Sequence, residues 1–186
     1  MQRKIFIGID LDEHVKGMLV KSVSKWHNLP IKWHKQESLH IALIPIGWVN
    51  EDDVFEIYDA VEEVCRNVEN FSITFDKIST TTKRKGVDII QNAQLVRLEG
   101  YDNEELKNLY TQLQKGLGMP VVFKKHFKPF VTLGRMRAKK WQELKEYPII
   151  DVNFPVIMDI YQVTLFESIQ IDGKWQLRPL NIFDLK

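Results

Sequence analysis

The amino-acid sequence predicts an α+β fold, in which antiparallel sheets carry helices on their outer faces. Two observations predict this class. Short stretches rich in Ile, Val and Phe alternate with longer stretches that place apolar residues on one helical face, and the strands are neither each followed by a helix nor gathered in one run. The expected order is β-α-β-α-β-β-β-α-β-β-α-β-β. No low-complexity linker divides the 186 residues, so we expect residues 1–186 to form one domain.

The predicted strands are short and bounded by turn-forming residues. The first covers residues 4–11, KIFIGIDL, and the second, SLHIALIPI at residues 38–46, ends at Pro45 and Gly47. Regular alternation at residues 71–78, FSITFDKI, indicates a strand with one solvated side. We expect further strands at residues 87–91, 94–100, 121–125, 129–135, 154–168 and 173–180.

Four helices are predicted between these strands. Asp12 opens the first. Asn50 and Asp53 resemble a capping pair for the second, while Asp102 and Glu105 are expected to cap the third. We expect the helices at residues 12–27, 54–68, 106–117 and 138–147.

The composition is typical of a soluble globular protein, with 44% hydrophobic residues, 27% charged residues and a formal net charge of +1. A chain so close to neutrality attracts nucleic acid or membranes only through local patches. Cys65 is the single cysteine, which excludes an internal disulfide and a Cys-x-x-Cys zinc site. Early acidic residues argue against a signal peptide, and no apolar run reaches membrane-spanning length. We therefore expect a cytoplasmic monomer with no membrane partner.

Basic residues gather in two regions and interleave with aromatic residues, an arrangement that can bind nucleic acid. Solvated loops are the alternative interpretation. The basic residues are Lys83, Arg84, Lys85, Lys124, Lys125, Lys128, Arg135, Arg137, Lys139 and Lys140, and the aromatic residues are Phe123, Phe127, Phe130 and Trp141.

Two predicted strands carry polar residues that are able to do chemistry. Because side chains alternate along a strand, His40 and Ala42 share one face. His40 is either a half-buried histidine that donates to a backbone carbonyl or a catalytic group. Thr132 shares a face with Phe130, and its hydroxyl is either an ordinary strand side chain or a donor to a phosphate oxygen.

Several stretches, taken in chain order, form a recognisable series. They are KIFIGIDL, Trp33 followed by SLHIALIPIG, a Leu-rich helix at residues 103–117, KPFVTLGR at residues 128–135, and VTLFESIQIDGKWQL at residues 163–177. The series resembles the 2H phosphoesterase superfamily, specifically the RNA 2',3'-cyclic phosphodiesterase group once called 2'-5' RNA ligases. The resemblance spans nearly the whole chain.

The resemblance implies a bilobal fold in which two antiparallel sheets flank a central cleft. In the family each half presents one His-x-Thr pair, one histidine acts as general base and the other as general acid, and the threonines bind phosphate oxygens. No metal or cofactor is needed. Such chemistry requires one proton removed and one delivered on opposite sides of phosphorus, for which two imidazoles are suited. The implied partner is an RNA end or a small nucleotide that carries phosphate.

This sequence departs from the family pattern at both motifs. It keeps His40 but has Ala42 where the family has threonine, and it keeps Thr132 but has Phe130 where the family has histidine. We therefore predict His40 and Thr132 as catalytic residues, and Arg135, Phe130 and Ala42 as substrate-binding residues. His126 is a minority substitute for the missing histidine, since it lies about 13 Å from position 130 in an extended chain.

Three functions remain open from the sequence. The first is a cyclic phosphodiesterase with reduced activity, since the loss of one acid or base costs about 100- to 10,000-fold in rate. The second is a non-catalytic module that binds an RNA end or a nucleotide. The third is a scaffold that keeps only the architecture.

Overall fold

A computed structural model describes residues 2–81, 93–121 and 127–186. The strands are β1 (Gln2–Asp10), β2 (Ile31–Trp33), β3 (His40–Asn50), β4 (Phe71–Thr81), β5 (Leu95–Gly100), β6 (Phe130–Met136), β7 (Asp151–Ile160), β8 (Gln162–Ile171) and β9 (Lys174–Asp184). The helices are α1 (Glu13–Val23), α2 (Val54–Asn67), α3 (Glu104–Gly116) and α4 (Ala138–Gln142). Among the described residues, no helix combines the length and apolarity needed to cross a bilayer.

Some predictions lie outside the described residues. They are the strand at residues 87–91, all but the first residue of the strand at residues 121–125, and the residues Lys83, Arg84, Lys85, Phe123, Lys124, Lys125 and His126.

The described strands form two antiparallel sheets, which confirms the predicted α+β class. The first sheet has the order β3-β1-β8-β9, and the second has the order β2-β6-β5-β4-β7. Buried residues of both sheets belong to one continuous hydrophobic cluster, which includes Ile7 in the first sheet and Val131 in the second. The helices pack on this cluster through apolar stripes such as Leu106, Leu109 and Leu113 of α3.

The two sheets are built from similar halves that exchange a strand. In the first half β1 pairs antiparallel with β3 and α1 lies between them in sequence, and in the second half β5 pairs with β6 around α3. The strand that ends each half crosses over: β4 pairs with β5, and β8 pairs with β1. This arrangement places β3 and β6 at corresponding positions, and the two strands contact each other.

The structure corrects several predicted boundaries. The segment 154–168 is not one strand, because the chain changes sheets at Tyr161, between β7 and β8. β3 continues through Pro45 to Asn50, since it lies at a sheet edge where a missing N–H is tolerated. Asn103, not Asp102, caps α3 by accepting from the Leu106 N–H at 2.7 Å.

Other corrections concern short elements. The three-residue strand β2 is absent from the prediction, and α1 ends at Val23 rather than at residue 27. α4 ends at Gln142, well before residue 147. The predicted Asp12 cap is present, with its carboxylate accepting from the backbone N–H groups of His14 and Val15.

Candidate active site

Matching bulges give β3 and β6 the same pattern of exposure. In β3, Gly8 of β1 pairs with Ala42 and Ile7 pairs with Ile44, so Leu43 has no partner in the ladder. In β6 the pairs of Arg97 with Thr132 and Val96 with Gly134 leave Leu133 without one. A bulge inserts one extra residue and shifts the alternation of side chains beyond it.

The shifted alternation keeps distant side chains on one face. In β6, Arg135 is exposed between buried neighbours and therefore shares the face of Phe130 and Thr132. In β3 the corresponding face carries His40, Ala42 and Pro45. Counted from the bulges, His40 corresponds to Phe130, and Ala42 corresponds to Thr132. All five predicted site residues thus lie on the outward faces of two strands that contact each other.

The imidazole of His40 is held in one orientation. Its Nδ1 lies 2.8 Å from the Ser38 carbonyl oxygen, which can only accept, so Nδ1 carries the proton and Nε2 is the acceptor of the neutral ring. The ring packs between Phe6 and Phe166, with centroid distances of 4.9 and 5.5 Å. The carbonyl contact expected of a structural histidine is present, and it leaves Nε2 without a partner among the described residues.

The surroundings of His40 favour its neutral form. Burial lowers the pKa of His40, and the charge of Lys16 acts in the same direction. The Ser38 carbonyl and the Asp10 carboxylate oppose this shift in part. Lys16 binds Asp10 at 2.9 Å and Glu13 at 2.7 Å, so Asp10, the ladder partner of His40, is itself fixed in place. A neutral imidazole is thus available near pH 7.

Gly8 makes room for this arrangement. A Cβ added there would lie 2.7 Å from the Ile41 carbonyl oxygen, 3.4 Å from Phe166 Cε2 and 3.5 Å from His40 Cδ2. The close approach of β1 to β3 therefore requires glycine at this position.

The second half of the site carries a cation that the sequence analysis missed. Arg97 pairs with Thr132 across the ladder, so their side chains share a face. Its guanidinium carbon lies 4.2 Å from the centre of the Phe130 ring. Arg97 Nε is fully buried and has no hydrogen-bond partner among the described residues. The sequence feature that identifies Arg97 is the alternation in QLVRLEG, which places Arg97 and Glu99 on the face opposite the buried Val96 and Leu98.

β2 and the residue that follows it place two more nitrogen-containing side chains next to β6. Lys32 pairs with Arg135, and the N–H of His34 donates to the Leu133 carbonyl at 2.8 Å. A Cβ on Gly134 would meet Ile31 and Trp33, so those two side chains point inward. Exposure alternates along this segment, which sets Lys32 and His34 on the face of Arg135.

The electrostatics of His34 reflect these neighbours. Burial lowers the pKa of His34, and the charges of His40, Arg135 and Lys32 lower it further. His34 is therefore close enough to His40, Lys32 and Arg135 for their charges to disfavour its protonated form. His34 is not among the site residues predicted from the sequence. Within the described ranges, no group of three or more His, Cys, Asp or Glu side chains could hold a metal ion.

The model of the 2'-5' RNA ligase superfamily matches residues 18–169. An RNA 2',3'-cyclic phosphodiesterase of Thermotoga maritima is 30% identical over 160 residues, which cover 83% of this chain and 80% of that protein. Among solved structures, TT0787 of Thermus thermophilus aligns with a TM-score of 0.77 at 18% identity, over 98% of this chain and 97% of that one. Escherichia coli LigT complexed with 3'-AMP aligns with a TM-score of 0.76 at 18% identity, over 100% and 99%.

Proposed function

Because the chain belongs to the 2'-5' RNA ligase superfamily of 2H phosphoesterases, we propose that it hydrolyses a 2',3'-cyclic phosphate at an RNA end or on a small nucleotide. The reaction takes place on the face shared by β3 and β6. The observation that carries the proposal is His40, whose Nδ1 is bonded to the Ser38 carbonyl while Nε2 is left for proton transfer.

The reaction needs two proton transfers and no change of oxidation state. The oxygen of water attacks phosphorus, the bond from phosphorus to one ribose oxygen breaks, and a phosphate monoester with a free hydroxyl forms. One proton leaves the attacking water and one reaches the departing ribose oxygen. His40 performs one of these transfers.

The remaining site residues bind the substrate. The Thr132 hydroxyl, which has no partner among the described residues, donates to a phosphate oxygen, and Arg135 supplies positive charge on the same face. The ring of Phe130 is 36% exposed and offers a surface for a nucleobase. Ala42 presents an exposed methyl group on the same face, and this small side chain leaves room for the substrate where the family has a threonine hydroxyl.

Replacement of His40 tests the catalytic proposal. In His40→Ala we expect turnover of a 2',3'-cyclic nucleotide to fall by about 100- to 10,000-fold, because one proton-transfer group is lost. Product formation by the purified protein would be followed by chromatography. His14→Ala, which removes an exposed imidazole from α1, is the matched control and should leave turnover unchanged. Wild-type protein without turnover would refute the proposal.

A non-catalytic nucleotide-binding function is the second candidate. It is favoured by Phe130, which puts a ring without a titratable group at the position corresponding to His40. This function predicts binding of 3'-AMP that weakens with added salt, without conversion of a cyclic nucleotide. Calorimetric titration beside the turnover assay separates the two candidates.

A further inference from the structure

We propose that two side chains beside β6 take the place of a second histidine in the site: Arg97 on β5 binds the substrate phosphate, and His34, the residue that follows β2, is the second proton-transfer group. This inference rests on the proposed function and names further residues of the same site. It follows from the sheet order β2-β6-β5: Arg97 is the ladder partner of Thr132 on one side of β6, and the N–H of His34 is bonded to the neighbouring Leu133 on the other side.

Arg97 has the placement of a phosphate-binding group. Its ladder partner is Thr132, so the guanidinium and the hydroxyl emerge from neighbouring strands on one face. The Phe130 ring, 4.2 Å away, supports one side of the guanidinium and limits its orientations.

The lack of a partner for Arg97 also points to a ligand. Its Nε is buried without a hydrogen-bond partner, and Arg97 forms no ion pair with the described residues. A buried guanidinium nitrogen without an acceptor is unfavourable. A phosphate oxygen would satisfy it, and the planar guanidinium suits two-point binding of phosphate.

His34 stands on the opposite edge of β6. Its backbone N–H is bonded to the Leu133 carbonyl, next to Thr132, and its side chain lies on the face of Lys32 and Arg135. The short segment from His34 to His40 connects β2 with β3, and the two imidazoles lie close enough for the charge of His40 to lower the pKa of His34.

The placement of the two imidazoles distinguishes their roles. His34 stands beside Lys32 and Arg135, and burial together with these charges and His40 lowers its pKa, so His34 takes the proton of the attacking water. Burial and Lys16 lower the pKa of His40, so His40 acts from the fraction of molecules in which the Ser38 carbonyl and the Asp10 carboxylate help it hold a second proton, on Nε2. It gives that proton to the departing ribose oxygen, and the two transfers balance.

The pH dependence of kcat/KM tests the assignment of His34. The wild-type profile should be bell-shaped, with the acidic limb reporting the base. His34→Asn should lower kcat by about 100-fold or more and abolish the acidic limb while the alkaline limb remains. A merely structural role would lower activity without removing one limb. His14→Asn is the matched control, and an unchanged profile in His34→Asn would overturn the assignment.

Ligand binding tests Arg97 separately from turnover. We expect Arg97→Met to weaken the binding of 3'-AMP and of inorganic phosphate by about 10- to 100-fold, and to raise KM more than it lowers kcat. Arg66→Met, at an exposed arginine of α2, should change neither. Thermal unfolding of each variant would establish that it folds. Affinities within about twofold of wild type would overturn the role of Arg97.

The outcomes distinguish this inference from the proposed function. Wild-type turnover that survives in both variants would overturn the inference alone. If the wild-type protein has no turnover, the proposed function and the role of His34 both fail, whereas the titration of Arg97→Met still decides whether Arg97 binds phosphate.

Discussion

At the scale of single residues, His40 illustrates how packing can prepare a group for chemistry. The Ser38 carbonyl selects the tautomer, and the rings of Phe6 and Phe166 hold the imidazole plane. Each contact reduces the number of orientations open to the His40 ring, so fewer of them have to be excluded when a substrate binds. The same contacts remove water from the ring, which explains the direction of its pKa shift.

The lowered pKa of His40 predicts a dependence of stability on pH. The folded protein binds fewer protons than the unfolded chain when the pH lies between the native pKa and the ordinary value of 6.5. The free energy of unfolding should therefore fall as the pH drops below that value, and the fall should stop below the native pKa. His40→Gln should remove its share of this dependence. Urea unfolding at about pH 7.5 and about pH 5.5 would measure it, and identical slopes in both proteins would contradict the prediction.

Sequence reasoning found some site residues and missed others for physical reasons. His40 and Thr132 stand in apolar strands, where a polar residue is conspicuous. His34 stands among charged and aromatic neighbours, where one more polar residue carries no signal, and Arg97 is distinguished only by the alternation of its strand. The pairing of β5 with β6 places Arg97 beside Thr132, and the bond from the His34 N–H to the Leu133 carbonyl places His34 on the other side of β6.

At the scale of elements, the bulges at Leu43 and Leu133 give β3 and β6 the same arrangement of side chains. Without the bulge in β6, strict alternation from Thr132 would direct Arg135 to the opposite face. The extra residue returns Arg135 to the site. The bulge in β3 lies at the same distance from His40 as the bulge in β6 lies from Phe130, so the two segments repeat one local structure.

The closeness of β1 and β3 leads to a prediction for Gly8. In Gly8→Ala the new methyl group would lie 2.7 Å from the Ile41 carbonyl, so the strands must separate beside His40. We expect a loss of roughly 1–3 kcal/mol in stability and lower turnover. The control is Gly17→Ala in α1, where an added Cβ meets nothing within 4 Å. Denaturant unfolding of both variants would decide, and equal stabilities would contradict the role given to Gly8.

Strand positions were predicted better than strand partners. Residues 71–78 and 94–100 appear in β4 and β5 because alternation is a local property. The division of residues 154–168 at Tyr161 is not local, since β7 and β8 read as one apolar run until they pair with different sheets. β2 has only three residues and is stabilised by its pairing with β6, which a local pattern cannot report.

At the scale of the whole molecule, the exchange of β4 and β8 ties the two halves together. Each sheet contains strands from both halves of the chain, and the buried cluster is continuous between them. Relative movement of the sheets is therefore opposed by backbone pairing at both crossovers. The relative position of β3 and β6 therefore depends on strand pairings throughout the fold.

The charge distribution of the molecule predicts how binding responds to salt. The net charge is only +1, so attraction of an anionic ligand comes from the cations beside the site, Arg97, Arg135 and Lys32, and not from a long-range field. Affinity for 3'-AMP should fall as salt rises from about 50 to about 500 mM, because bound ions must be displaced. Arg135→Met should flatten this dependence, whereas Lys139→Met, on the exposed surface of α4, should leave it unchanged. Equal slopes in the two variants, measured by calorimetric titration, would mean that the ligand does not bind between β3 and β6.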